Sequence, residues 1–524
     1  MRLRCVLVLC AVIAAARSTL RTDQQFWTSL AQNELEEALQ VKWNHNTAKN
    51  VIIFIGDGMG PNTVTAARIY KGGETHRLAF EKFPHMGLLK TYSANKMVPD
   101  SACTATAMFC GVKANQDTLG VDATVGYKDC EASLKPEARL QSLAALALKA
   151  GKSAGLVTTM RVTHATPGPI YAHSASRKWE CEANMPQDTP CKDIARQLVE
   201  DWPGRDLHVI MGGGRQTLVS NSTGTPSDPI SKESWTCYRQ DGRNLMDTYR
   251  NDKRSRGLKY SVVGNNKELE DLDVDNTDYL LGIFANEHLS YDHKRDKGPE
   301  GMPSISDMVK AAIKVLRKNK NGYFLMVEGG NVDMAHHRGW ARTAIDEAAA
   351  MEAAVQLAAD VTHQRDTLLV VTSDHTHTLN INGYADRGSS VLGIAGASTY
   401  DGVNYTTLSY SNGGPASFQF DVVTDELGSR VQRREPGRGG TERYDYNQVA
   451  GIRLVENSHG GGDVAIYARG PHSHLFHNVH EQHYVFHAIS YAAKIGAYSS
   501  GSAVNVDVWH LCITTIIGIT FVML

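Results

Sequence analysis

Three short apolar runs in this 524-residue chain each end in an acid: Phe54-Ile55-Gly56 runs into Asp57, Leu325-Met326-Val327 into Glu328, and Val371-Thr372-Ser373 into Asp374. One acid at a strand end is ordinarily a helix cap or a turn residue. Three, each followed by Gly or His, point to one centre at the carboxyl edge of a parallel sheet, where functional groups of open α/β folds gather. Asp333 and His337 stand four apart in Glu328-Gly-Gly-Asn-Val-Asp333-Met-Ala-His336-His337. On a helix both would project from one face and chelate one ion, although such a pair taken singly is usually a surface pair. His375 and His377 follow Asp374, and His459 opens the return His459-Gly-Gly-Gly-Asp463. Carboxylates and imidazoles without thiolates suit zinc or another borderline divalent ion, whereas calcium rarely recruits so many imidazoles.

A nucleophile is available in Pro99-Asp100-Ser101-Ala102-Cys103-Thr104, which reads as the start of a helix of small residues. A serine at such a place is commonly an N-cap. Beside a metal ion it can instead be ionised by coordination, and the helix N-terminus favours an anionic substrate. No G-x-S-x-G elbow is present, which disfavours a hydrolase triad. Gly212-Gly-Gly-Arg215 lacks the Lys-Ser/Thr of a P-loop, and Gly56-Asp-Gly58 meets Pro61 where a dinucleotide fingerprint needs glycine, so both read as turns. The late histidines His472, His474, His477, His480, His483 and His487 lack H-E-x-x-H spacing and read as packing groups rather than as ligands of another metal.

The elements that must position these residues alternate. Val51 to Ile55, Ala154 to Thr158, Leu207 to Met211, Tyr323 to Val327 and Thr367 to Thr372 are continuous apolar runs, the pattern of strands buried on both faces. Helical patterns cover Pro136 to Ala150, Ile305 to Lys318 and Trp340 to Thr362, and an amphipathic segment runs from Phe26 to Trp43. Together they predict an α/β fold with a central, mostly parallel sheet flanked by helices. Residues 380–458 change texture to Gly, Ser, Tyr and charge without a helical period, which predicts an inserted, loop-rich subdomain.

Composition narrows the class further. The chain is 42% hydrophobic and 21% charged, with a net charge of −2, so disorder is excluded and no basic surplus supports a nucleic-acid-binding role. Residues 1–16 have the charged start, apolar run and Ala14-Ala15-Ala16 end of a signal peptide. Ser499-Ser500-Gly501-Ser502, a polar spacer and the apolar Val508 to Leu524 have the form of a lipid-anchor signal, with attachment at Ser500 and removal of 501–524; a short spanning helix is the alternative. The expected location is the outer face of the cell membrane. There, the six cysteines outside these ends, Cys103, Cys110, Cys130, Cys181, Cys191 and Cys237, are expected to pair in part, in a connectivity that spacing leaves open. Asn221 and Asn404 open glycosylation sequons.

With Ile55-Gly-Asp57-Gly-Met-Gly60, Asp100-Ser101-Ala102, Val327-Glu328-Gly-Gly330, Ser373-Asp-His-Thr-His377 and His459 in hand, the chain from Phe26 to Tyr498 resembles the animal alkaline phosphatases. The resemblance implies phosphomonoester hydrolysis, a phosphoserine at Ser101, two zinc ions and one magnesium. Asp333, His337 and His459 match the zinc site that activates water. Asp57, Asp374, His375 and Ser101 match the second. Asp57, Thr166 and Glu328 match the magnesium site, with His164 beside it and His377 supporting the first zinc. Arg177 matches the arginine that grips phosphate. The resemblance also implies a Cys130–Cys191 disulfide, a GPI anchor and a homodimer in which the Phe26 to Trp43 helix reaches the partner. Three departures stand out. Ala285 follows Phe284 where the family's calcium site has an acid, which predicts a weak or empty fourth site. The late cysteine pair is missing near Ala493-Lys494, and Cys103 and Cys181 are not family positions. Alternatives are a phosphodiesterase or sulfatase of the same superfamily, or a catalytically silent, tethered binding protein.

Overall fold

The continuous apolar runs become the middle of one large sheet. The computed structural model describes residues 23–499 apart from 226–227, 233–234, 427 and 438–439. Its strands are β1 (Asn50–Gly56), β2 (His85–Lys90), β3 (Ser153–Arg161), β4 (Val209–Gly213), β5 (Tyr260–Val263), β6 (Tyr279–Ile283), β7 (Tyr323–Gly329) and β8 (Thr367–Ser373), joined by Val464–Arg469 and Asn478–Glu481. The spatial order is Asn478–Glu481, β2, Val464–Arg469, β8, β1, β7, β3, β4, β6, β5. Only Val464–Arg469 runs against its neighbours. The mostly parallel sheet is therefore as expected, and five of its flanking strands are additional to the five runs read from the sequence.

Alternate side chains of β1 feed two separate layers, as the period of a strand requires. Ile52 and Phe54 join Val64, Met308, Ile345 and Met351 on one face. Val51, Ile53 and Ile55 join Met108, Leu143, Leu198 and Ile489 on the other. The helices supplying these faces include Pro61–Gly72, Ile305–Leu316 and Ala341–Val361 on the first, and Ser101–Cys110, Leu143–Lys149, Ile194–Glu200 and Tyr484–Ala493 on the second. The pattern from Pro136 to Ala150 is not one helix. A 3-10 turn at Pro136–Ala138 is followed by a new start at Leu143, because Ser142 Oγ accepts from Ala145 N at 3.1 Å and Arg139 bridges to Val121. The amphipathic segment after the amino terminus is a helix over Gln24–Leu39, with Trp27, Leu35 and Leu39 exposed.

Register aligns the strand ends. Gly56 of β1 is level with Ser373 of β8 and Gly329 of β7, so Asp57, Glu328 and Asp374 emerge at the same edge. Residues 380–458 contain no helix among their described residues. They hold a three-stranded sheet of Leu379–Ile381, Leu408–Gly413 and Ala450–Arg453, with two further hairpins. The stretch closes where Thr376–His377 pairs with His459–Gly460, which sets His459 opposite His377.

Cys130 is bonded to Cys191, the pair implied by the resemblance, and Cys181 to Cys237; Cys103 and Cys110 are free and buried. The two bridges bracket the segment that carries Arg177 and Glu180. Cys181–Cys237 closes 56 residues, and a loop of that length stabilises by roughly 4 kcal/mol in the chain-entropy account. Replacing both with serine is expected to lower the unfolding temperature by several degrees in calorimetry; an unchanged transition would show that neighbouring packing alone fixes this segment.

Candidate active site

The candidate residues converge, and each is placed by a strand end or a helix start. Ser101 opens the helix Ser101–Cys110, whose N-cap Asp100 accepts from Ala102 N at 3.1 Å and Cys103 N at 3.4 Å. Ser101 Oγ lies 3.4 Å from Asp57 Oδ1 and 3.2 Å from His375 Nε2. His375 Nε2 is also 3.3 Å from Asp57 Oδ1 and 3.3 Å from Asp374 Oδ2. Gly58 N donates to Asp374 Oδ1 at 3.0 Å. Gly58 has φ 68°, and a Cβ there would come within 2.6 Å of the His377 ring, so glycine is required on both counts.

A second group is built on the short helix Asn331–His337. As the i, i+4 spacing anticipates, Asp333 and His337 share a face, with His337 Nε2 3.3 Å from Asp333 Oδ2. His459 Nε2 lies 3.4 Å from Asp333 Oδ1 and 3.1 Å from His337 Nε2. His377 Nε2 meets Asp333 Oδ1 at 2.5 Å. A third group joins Asp57, His164 and Glu328, with Thr166 Oγ1 donating to Asp57 Oδ2 at 3.3 Å and Thr158 Oγ1 to Glu328 Oε2 at 2.5 Å.

Two observations test whether these residues fit metal ions. The first is tautomeric. His337 Nδ1 faces Asn457 O at 2.6 Å, His459 Nδ1 faces Pro99 O at 2.8 Å and His375 Nδ1 faces Thr376 O at 3.2 Å. A carbonyl only accepts, so each Nδ1 carries a proton and each Nε2 is the nitrogen turned inward, the orientation metal-ligating histidines use. The second is charge. Asp57, Glu328, Asp333 and Asp374 are all buried, and Glu328 Oε1 has no hydrogen-bond partner among the described residues. Burial, reinforced by Asp374, Asp333 and Glu328, pushes Asp57 well above the usual carboxylate range. Burial raises Glu328 to about 7 and Asp374 to about 6. Burial works against protonation of His337, but Asp333 overrides it and holds this imidazole up at about 9. Inward imidazole nitrogens and crowded carboxylates whose protons a cation would displace make a donor set that fits divalent ions.

Ser101, His164, Asp333, His337 and His459 line an open cleft of about 520 Å³ together with Arg177, Lys178, Arg338, Trp235 and the acids Asp117, Glu180 and Glu456, and the buried Arg161 forms part of its wall. Arg177 Nη1 donates to Asp100 Oδ2 at 3.0 Å, and Nη2 lies 3.2 Å from His164 Nε2. Asp100, known from the sequence only as part of a motif, thus caps the serine helix and holds the arginine at once. Arg161 binds Glu180 through two bonds, 2.8 Å and 2.6 Å, and also contacts Glu287. Neither Arg161 nor Asn457 carries a sequence signal that would have singled it out, because their roles depend on contacts 19 to 126 residues away. Around Phe284, Ala285 is buried, Glu287 is engaged by Arg161 and Thr236, and Asp228 accepts from Asn286 N. Asn221 is exposed and Asn404 half-buried, whereas Ser500, residues 1–16 and residues 501–524 lie outside the described residues.

A buried serine at a helix start, flanked by three carboxylate and imidazole groups at a parallel sheet's carboxyl edge, defines a centre for metal-assisted displacement at an anionic ester. The alkaline phosphatase family model matches residues 48–495. The human tissue-nonspecific isozyme is 44% identical over 488 residues, covering 91% of this chain and 89% of its own. Membrane-bound alkaline phosphatase of Bombyx mori is 40% identical, covering 92% and 88%. The chain belongs to the alkaline phosphatase family. Among solved structures, alkaline phosphatase from the Antarctic bacterium TAB5 shares the fold with a TM-score of 0.58 at 21% identity, over 86% of this chain and 99% of that one. The Thermus thermophilus enzyme does so with 0.58 at 23%, over 86% and 92%.

Two expectations follow from this geometry. In the metal-free protein the raised groups Asp374, Glu328 and His337 hold protons up to about 6, 7 and 9. Metal must displace those protons, so chelator-competition titrations should show affinity rising with pH through this range and weakening below it; pH-independent affinity would contradict the assignment of these groups. Asp100→Asn should leave metal content intact but lower kcat/KM about 10²-fold and weaken inhibition by inorganic phosphate, because Arg177 loses its anchor. Wild-type kinetics in that variant would show that Arg177 is fixed by other contacts.

Proposed function

We propose that this protein hydrolyses small phosphate monoesters through a phosphoserine formed on Ser101, using two zinc ions and one magnesium per chain. The observation that carries this proposal is the placement of Ser101 Oγ against Asp57 and His375 with Arg177 facing the same cleft. Asp333, His337 and His459 would hold one zinc, with His377 supporting Asp333. Asp57, Asp374 and His375, with Ser101, would hold the other. Asp57, Thr166 and Glu328 would hold the magnesium beside His164. When bound, the cations supply Lewis-acid charge that ionises the serine hydroxyl, activates water and offsets charge on the entering and leaving oxygens. With Ala285 in place of an acid and Glu287 already paired, no stoichiometric calcium is expected near Phe284.

The chain's own groups account for the remaining chemistry. Arg177, Lys178 and Arg338 face the cleft and offer positive charge to an entering anion. Arg177 offers a planar fork for two phosphate oxygens and orients phosphorus over Ser101. Ser101 Oγ attacks in line, the P–O bond to the alcohol breaks, and the alcohol leaves. Water then attacks the same phosphorus from the opposite side, the Ser101–phosphorus bond breaks, and inorganic phosphate departs with Ser101 regenerated.

The same proposal extends to the cell surface. Residues 1–16 would be removed as a signal peptide, the mature chain would end at a GPI lipid on Ser500, and 501–524 would be discarded. No helix among the described residues is long and apolar enough to cross a membrane. Residues 380–458 would form the inserted crown-like subdomain, and Asn221 and Asn404 would carry glycans. A homodimer is supported by the helix Gln24–Leu39, which leaves Trp27, Leu35 and Leu39 exposed on the isolated chain.

The test is p-nitrophenyl phosphate hydrolysis by the wild type and Ser101→Ala, each with and without EDTA, together with trapping of radiolabelled phosphate at acidic pH. Activity that is lost with EDTA, strongly reduced in Ser101→Ala at unchanged zinc content, and accompanied by label on Ser101 is expected. Full activity in Ser101→Ala would overturn the phosphoserine route.

A further inference from the structure

Five histidines outside the candidate active site meet at the opposite end of the sheet. His45 lies in the loop leading into β1, and His472 and His474 follow Val464–Arg469. Because Val464–Arg469 runs antiparallel to β8, with Arg469 level with Leu369, its end lies beside the start of β8. Asp374 lies past the other end of β8, roughly 20 Å away for a seven-residue strand. His85, at the start of β2, and His477 adjoin the group, with His85 Nδ1 2.7 Å from His477 Nε2.

One ring nitrogen from each of His45, His472 and His474 can be chosen so that all lie within 4.8 Å of one another. Their ring centroids are 5.1, 5.7 and 5.9 Å apart. Local contacts hold this geometry. His472 N donates to Asn44 O at 2.7 Å, and Asn44 Nδ2 donates to Gln364 O at 2.8 Å, so the loop before β1 is fastened to both neighbouring segments. Trp43 stacks flat on His474 at 4.5 Å, and the Tyr491 ring meets His472 edge-on at 5.2 Å. His474 Nδ1 is buried with no hydrogen-bond partner among the described residues, a costly state for a polar atom. Burial and the neighbouring imidazoles lower the pKa of His472 and His474, with Lys494 adding to the effect at His472, which favours the neutral form of both rings. His45 is exposed and leaves one side open to solvent.

We propose that His45, His472 and His474 form a second, non-catalytic site for a divalent transition-metal ion of the zinc or copper type. Three imidazoles with an open fourth position for water are a ligand set these ions accept, and the lack of carboxylates in the group argues against magnesium or calcium. The ion would tie the segment entering β1 to the turn after Val464–Arg469, joining distant parts of the chain on the face away from the cleft. The late histidines read from spacing as packing groups would thus include two ligands, completed by His45 some four hundred residues earlier.

The test uses the full mature holoenzyme, dialysed against micromolar zinc, with metal content measured by mass spectrometry for wild type, His45→Ala and His45→Ala/His474→Ala. The wild type should carry about one zinc per chain more than the double variant, with turnover unchanged between them, and crystals of the wild type should give an anomalous zinc peak among the three rings. Activity reports that the variants are folded, so a loss of zinc confined to this site is separable from loss at the active site. Equal zinc content in wild type and double variant, or no anomalous peak at the cluster, would overturn the proposal and leave a stacked histidine group.

Discussion

The structure depends on holding like charges together in its interior. Asp57, Glu328, Asp333 and Asp374 are all buried at one edge of the sheet, with Asp57 and Asp374 sharing one potential ligand group and Asp57 and Glu328 another. Two unit charges about 5 Å apart repel by roughly 3 kcal/mol at an effective dielectric of 20, before any cost of desolvation. A folded domain has only about 5–15 kcal/mol of net stability. The fold therefore tolerates this edge through protonation or through cations. The Nε2 atoms of His337, His375 and His459, each turned inward by a backbone carbonyl on Nδ1, are oriented for the second solution.

That constraint explains why the surroundings are so heavily stapled. Arg177 must face the anionic centre without collapsing onto it, and its anchor is Asp100, itself locked as the cap of the serine helix. The segment bearing Arg177 is bracketed by two disulfides and backed by a small apolar cluster around Trp179. The Arg161–Glu180 pair, fully buried, fixes the neighbouring wall. Charges in this cleft are positioned by covalent and bidentate links rather than by flexible surface pairs, so a substrate need not spend binding energy on ordering them.

Much of this was legible in the sequence. The five foreseen strands, β8, β1, β7, β3 and β4, are contiguous in the sheet, since strands covered on both faces must be apolar throughout. The strands missed lie on the flanks. β2 reads His-Met-Gly-Leu-Leu-Lys, buried and uncovered by turns, and β5 is largely half-buried, so neither shows an unbroken apolar run. Asp333 and His337 were legible because their spacing is local to one helix. His459 was visible as one imidazole among the ligand candidates, but its place beside Asp333 and His337 came only with the family resemblance, because that approach depends on a two-residue pairing with His377 across residues 380–458. The Cys181–Cys237 bridge, Asp100's double role and the anchoring of His337 and His377 by Asn457 rest on long-range contacts, which spacing does not encode.

The central claim is that cations make the buried carboxylate edge stable, and metal-dependent unfolding tests it most directly. Calorimetry at pH 8 would compare the protein stripped of metal, the same protein reloaded with zinc and magnesium, and Asp57→Asn/Asp374→Asn in both states. The account predicts a large drop in unfolding temperature on stripping the wild type, recovery on reloading, and a double variant that is more stable than the stripped wild type and responds little to metal. A wild type whose transition is unmoved by stripping, or a neutralised variant less stable than the stripped wild type, would contradict it.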